Sequence, residues 1–145
     1  MAWPYWRVGV AFHFLIRQMF IHLLVDMIKV EIPRKNSINF LFDMEGAKDL
    51  LATFKQKQGT VYVQASKVAE IHFFPSDDEF IQFSKNSIEL YMSSDAYDYG
   101  VFQIGRFADG GDIFPAEFYE FEEIPSPKGR KKMINTYLIG QSQLT

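Results

Sequence analysis

The chain reads as an α+β fold: a mostly antiparallel sheet of about six strands with about three helices packed on one face. Three observations predict it. Short runs of β-branched and aromatic residues recur along the sequence. Between them lie two stretches whose apolar residues fall at helical spacing. A 48% hydrophobic content over 145 residues, with 17% of the chain aromatic and fifteen Phe, is enough for a buried core and argues against disorder. No linker, low-complexity tract or repeat divides the chain, so a single domain over 27–145 is expected behind an apolar extension, 1–26.

That extension holds both tryptophans, Trp3 and Trp6, and two apolar runs, Val8–Ile16 and Met19–Val25. A transmembrane helix needs about 20 largely apolar residues, and His13, Arg17, Gln18 and His22 interrupt this one. A signal peptide would use Arg7 and the first run, but no small-x-small cleavage site follows. Met27-Ile-Lys-Val-Glu-Ile opens like an ordinary strand, so the expectation is a dispensable leader. A helix packed on the domain, and membrane contact, remain the alternatives.

From Met27 the elements follow in order. Ile28–Ile32 and Ile38–Phe42 read as strands around a Pro-Arg-Lys-Asn turn. Asp43 can cap a helix on which Ala47, Leu50, Leu51 and Phe54 share a face, stopped by Gly59. Thr60–Ala65 and Val68–Phe74 are strands, the second ended by Pro75. Ser76-Asp-Asp-Glu79 has capping-box spacing and predicts a short helix through about Phe83. Ser87–Met92 is a strand. Ser94 or Asp95 can cap a helix with Tyr97, Val101, Ile104 and Phe107 on one face, ended by Gly110-Gly111. Ile113–Ile124 is a long aromatic strand, Pro125–Lys132 a connector, and Met133–Ile139 the last strand.

The chemistry-bearing residues exclude more than they offer. Zero cysteines remove disulfides, thiol nucleophiles and Cys-ligated zinc, and fit a cytoplasmic protein. A formal charge of −3 with scattered bases lacks the footprint of a nucleic-acid binder. Lys128-Gly-Arg-Lys-Lys132 reads as a solvated loop facing the acidic strand. His72 has Glu70 on the same side of its strand, which suits a base–carboxylate pair and equally a half-exposed strand residue beside an acid. Asp77-Asp78-Glu79 fans outward at a helix start rather than converging on a cation. Asp109-Gly-Gly-Asp112 lacks the oxygen spacing of a calcium loop. Neither a nucleophile elbow nor a phosphate loop is present. No catalytic residue, cofactor or metal is expected.

One stretch stands out. Asp95 to Glu123 carries eight carboxylates against a single base, Arg106, threaded with eight Tyr and Phe. Like charges at this density repel, and a positive partner or solvent relieves them. An acidic, aromatic-rich surface is what a binder of basic proteins presents. Asp95, Asp98, Tyr99, Asp109, Asp112, Glu117, Glu120 and Glu122 are therefore the expected partner-binding residues. The alternative is a solvated face over an aromatic core.

The helix Glu45-Gly-Ala-Lys-Asp-Leu-Leu-Ala-Thr-Phe54, then Gly59-Thr-Val-Tyr-Val-Gln64, Ile88-Glu-Leu-Tyr-Met92 and the helix Tyr97–Phe107, resembles small α+β immunity proteins of bacterial polymorphic toxin systems. The resemblance covers about two-thirds of the chain and rests on pattern, with no invariant motif; the first 26 residues and the tail from Pro125 lie outside it. It implies a non-enzymatic inhibitor that binds and neutralises a cognate, often basic, toxin domain inside the producing cell. The rival reading is a small carboxylate-using enzyme or ligand-binding domain. Nucleic acid and membrane are not expected partners, and homo-oligomers stay open.

Overall fold

A computed structural model describes residues 27–64, 68–110 and 116–141. The expectations for the extension 1–26 and for Asp112 lie outside them. The α+β class holds, with eight strands and two α-helices among the described residues. In order these are β1 (Ile28–Arg34), β2 (Ser37–Phe42), α1 (Met44–Gln56), β3 (Gly59–Tyr62), β4 (Glu70–Pro75), β5 (Phe80–Phe83), β6 (Ser87–Met92), α2 (Ser94–Ala108), β7 (Ala116–Glu123) and β8 (Met133–Gly140).

The expected mostly antiparallel sheet is instead an alternation. The order is β1-β2-β8-β7-β5-β6-β4-β3. Each sequential pair forms an antiparallel hairpin, and the hairpins join through parallel ladders, β2 to β8, β7 to β5 and β6 to β4. The two outermost strands also approach one another. Gln64 N–H, just past β3, donates to the Ile28 carbonyl of β1 at 3.0 Å. The sheet therefore curls until its ends meet.

The expectation that no repeat divides the chain is corrected by the topology. One ββαββ unit occurs twice, β1 to β4 around α1 and β5 to β8 around α2. The backbone bonds repeat with it. Asn135 N–H donates to the Asn36 carbonyl at 2.8 Å, and Ala69 N–H to the Asn86 carbonyl at 2.7 Å. Gln141 N–H meets the Phe42 carbonyl and Ser76 N–H the Met92 carbonyl, both at 2.9 Å. The Gln64–Ile28 bond likewise has its counterpart in Ile124 N–H to the Ile81 carbonyl, 2.8 Å. A trace remains in the sequence: Lys-Asn-Ser-Ile stands at 35–38 and again at 85–88. Elsewhere the units match in role rather than in residue, as where Asp43 and Ser93 each cap the helix of its unit, which is why residue-by-residue reading misses them.

Alternation places Ile38, Phe40 and Phe42 of β2, Ile88, Leu90 and Met92 of β6, and Ile134, Thr136 and Leu138 of β8 inside. Both helices cover that face. Phe54 of α1 meets Phe73 edge-on at 5.1 Å and Tyr97 of α2 at 5.5 Å, and Phe107 of α2 meets Phe42 at 5.5 Å. Fully burying such side chains contributes about 1.5–3 kcal/mol each. Inside, a void lined by Phe40, Phe54, Leu90 and Leu138 measures about 10 Å³, too small for a ligand.

The third predicted helix is corrected to a strand. Phe80–Phe83 is β5, paired with β6 and β7. Glu79 does not close a box on Ser76. It accepts from the backbone N–H of Ser93 at 3.1 Å and from the Ser93 hydroxyl, so its capping capacity serves a helix fourteen residues away. Ser93, not Ser94 or Asp95, is the N-cap of α2 and accepts from Ala96 N–H at 3.2 Å. Asp43 caps α1 as expected, accepting from Gly46 N–H at 2.7 Å.

Candidate functional site

The exposed face of α2 follows from its buried one. Ala96, Tyr97, Gly100, Ile104 and Phe107 point into the core, so Asp95, Tyr99, Phe102 and Arg106, spaced four, three and four apart, form an outward stripe. Tyr99 is 37% and Phe102 59% exposed. The Arg106 guanidinium lies 5.8 Å from the Phe102 ring centroid. Asp98, one turn from the helix start, reaches Lys57, the C-cap of α1, at 3.3 Å.

The same face meets β7. Strand β5 pairs with β7 only at Glu122 and Glu123, so residues 116–121 have no described strand on that side. Tyr99 fills the place. Its ring stacks on Phe118 at 6.1 Å and meets Tyr119 edge-on at 5.8 Å, and its hydroxyl reaches the Glu117 carbonyl at 3.5 Å. Gln103 donates to the Tyr99 hydroxyl at 2.9 Å. Burial raises the Tyr119 phenol above its ordinary value, and the nearby Glu79 and Asp95 carboxylates and Tyr99 add to the rise. Phe118 and Tyr119 both contact Tyr99 because the β7–β8 ladder is irregular there, an extra residue on β7 breaking the strict alternation.

That irregularity shapes the opposite side too. Glu117 pairs with Tyr137 and Glu120 with Asn135, so these four stand together on the outer face of the sheet. They border a groove of about 180 Å³. Thr136 holds its floor, donating to the Tyr119 carbonyl at 2.6 Å.

Of the eight expected partner-binding residues, Asp95, Asp98 and Tyr99 gather at the start of α2. Glu120 lies on the outer sheet face beside Glu117. Asp109 sits past the far end of α2, roughly 21 Å from Asp95 along the axis. Glu122 is half-buried and lies 3.9 Å from Lys131, while Glu123 pairs with Lys132 at 3.5 Å, so the basic loop does face the acidic strand. The expected set omits Phe102, Phe118 and Tyr119. The first had a readable signal, its i+3 spacing from Tyr99.

His72 stands on the outer face of β4. Its Nε2 lies 3.0 Å from Glu70 Oε2 and its Nδ1 2.9 Å from the Thr60 hydroxyl. A hydroxyl, imidazole and carboxylate in line have the connectivity of an activated nucleophile. All three lie on an open sheet face beside the stacked Phe74 and Tyr91 rings. Among the described residues no three His, Asp or Glu side chains gather to hold a metal, and no helix is long and apolar enough to cross a membrane.

The chain matches no protein-family model, no curated protein and no solved structure.

Proposed function

We propose that this protein is a non-enzymatic, cytoplasmic binding protein of the immunity type, which neutralises a basic toxin domain by covering it. The observation that supports this reading is the outward array of Asp95, Asp98, Tyr99 and Phe102 on α2. It combines exposed aromatic area with carboxylates, the composition of a docking face for a cationic protein. The Tyr99–Phe118–Tyr119 cluster fixes the aromatic part before a partner arrives, which lowers the entropy lost on binding. Arg106 and Lys57 are the bases that border the array, and Lys57 is engaged with Asp98.

The rival is a carboxylate-using enzyme, and the groove at Glu117 and Glu120 is the feature it would need. Acid–base catalysis requires carboxylates held in fixed geometry. Among the described residues no side-chain hydrogen bond or ion pair holds either one, so the docking reading is preferred.

The test is association with the product of the reading frame adjoining this gene. A stoichiometric complex whose association slows as salt rises, and which abolishes that product's toxicity, is the expected result. A product that neither binds nor harms the cell removes the reading.

A further inference from the structure

We propose that the outer-face groove between β7 and β8 is an anchor pocket for an arginine side chain of a basic protein partner. This rests on the docking reading above and extends it from a charged surface to a specific contact. In a regular strand, residues three apart point to opposite faces. The irregularity between Glu117 and Glu120 turns both carboxylates to one side, opposite Tyr137 and Asn135. The resulting space, about 180 Å³, has acids on the β7 side and a phenol ring and a carboxamide on the β8 side.

Charge decides the occupant. Two carboxylates on one face favour a cation between them, and the nearby described lysines, Lys131 and Lys132, are turned to Glu122 and Glu123 instead. Shape then separates arginine from lysine. A guanidinium is planar, donates through several N–H groups to two carboxylates at once and stacks on an aromatic ring. An ammonium also donates hydrogen bonds, but it is tetrahedral and acts as a compact point charge without a planar face to stack. Tyr137 supplies the ring and Asn135 an acceptor for a remaining N–H. Tyr99 reaches the Glu117 backbone carbonyl from the helix side at 3.5 Å, while the groove opens on the outer face of the same strand.

The experiment titrates Nα-acetyl-L-arginine methylamide into the full-length protein and follows backbone amide shifts, with the citrulline and lysine analogues as comparisons. The expected result is a saturable response confined to 117–120 and 135–137, absent with neutral citrulline and weaker with lysine. Glu117→Gln with Glu120→Gln weakens it roughly three- to tenfold, the range for partly exposed charge pairs, while the thermal melt is unchanged. No response, an equal response to citrulline, or a response untouched by the double variant overturns the pocket. Its failure is distinct from failure of the docking reading. A dead pocket in a protein that still binds the adjoining gene's product rejects only the pocket, and a responsive pocket in a protein that binds no such product rejects only that reading.

Discussion

Gly100 lies so close to Phe54 that a Cβ at residue 100 would overlap the Cε2 and Cδ2 atoms of that ring. The ring has nowhere to go, because Phe73, Tyr97 and Phe118 surround it. The close crossing of α1 and α2 therefore depends on a missing methyl group.

Gly100→Ala is expected to destabilise the fold by about 1–3 kcal/mol from overpacking, even though alanine is the better helix former. Gly105→Ala, on the same helix with nothing within 4 Å of its Cβ, should stabilise by about 0.5–1 kcal/mol. Urea melts of the two variants should move in opposite directions. Equal shifts would mean that helix propensity, not the Phe54 contact, governs residue 100.

Alkaline stability should hinge on Tyr97. The residue is buried, donates from its hydroxyl to the Phe74 carbonyl at 2.9 Å, and burial raises its pKa well above the ordinary phenol value. A raised folded-state pKa means the native state holds the proton more tightly. The stabilisation is fully present below about pH 10, where the unfolded phenol is still neutral, and is lost as pH climbs above it, by up to about 1.4 kcal/mol per pH unit. Tyr91 and Tyr119, also raised chiefly by burial, act in the same direction. Tyr97→Phe should cost about 1–3 kcal/mol at neutral pH, from the orphaned Phe74 carbonyl, and should flatten the loss between pH 10 and 12. An unchanged alkaline slope in chemical melts would contradict this.

The two helix caps should matter comparably. Asp43→Ala removes the acceptor for Gly46 N–H and for Met27 N–H, the latter at 3.2 Å. Ser93→Ala removes the acceptor for Ala96 N–H and leaves Glu79 without its hydroxyl partner. Each should cost about 1–2 kcal/mol, read from denaturant midpoints at constant slope. A loss below a few tenths at either position would show that its helix is held by packing alone.

Reversing charge at Asp98, Asp112 and Glu120 to lysine should slow association with a basic partner and flatten its salt dependence. Asp98 and Glu120 are exposed, so the fold should tolerate the change to within about 0.5 kcal/mol each. Stopped-flow association at two ionic strengths checks it, and an unaltered rate in the triple variant would place the contact elsewhere.

The features legible in the residues alone are local. The apolar faces of α1 and α2, the Asp43 cap, the strands Ile38–Phe42 and Ser87–Met92, and the acidic-aromatic stretch were all legible. Each is set by residues within a turn or two of one another. Tertiary structure decided the rest. Phe80–Phe83 became a strand despite a capping-box spacing before it, because β6 and β7 offered their backbones and Glu79 found Ser93 instead of Ser76. The order of the four hairpins, and the parallel ladders joining them, depend on which buried faces fit across distant segments. The irregularity at Phe118 and Tyr119 that turns Glu117 and Glu120 to one side depends on the register with β8. Periodicity says which side of an element is apolar. Only packing between elements says what that side meets, and therefore which charged residues are left together at the surface.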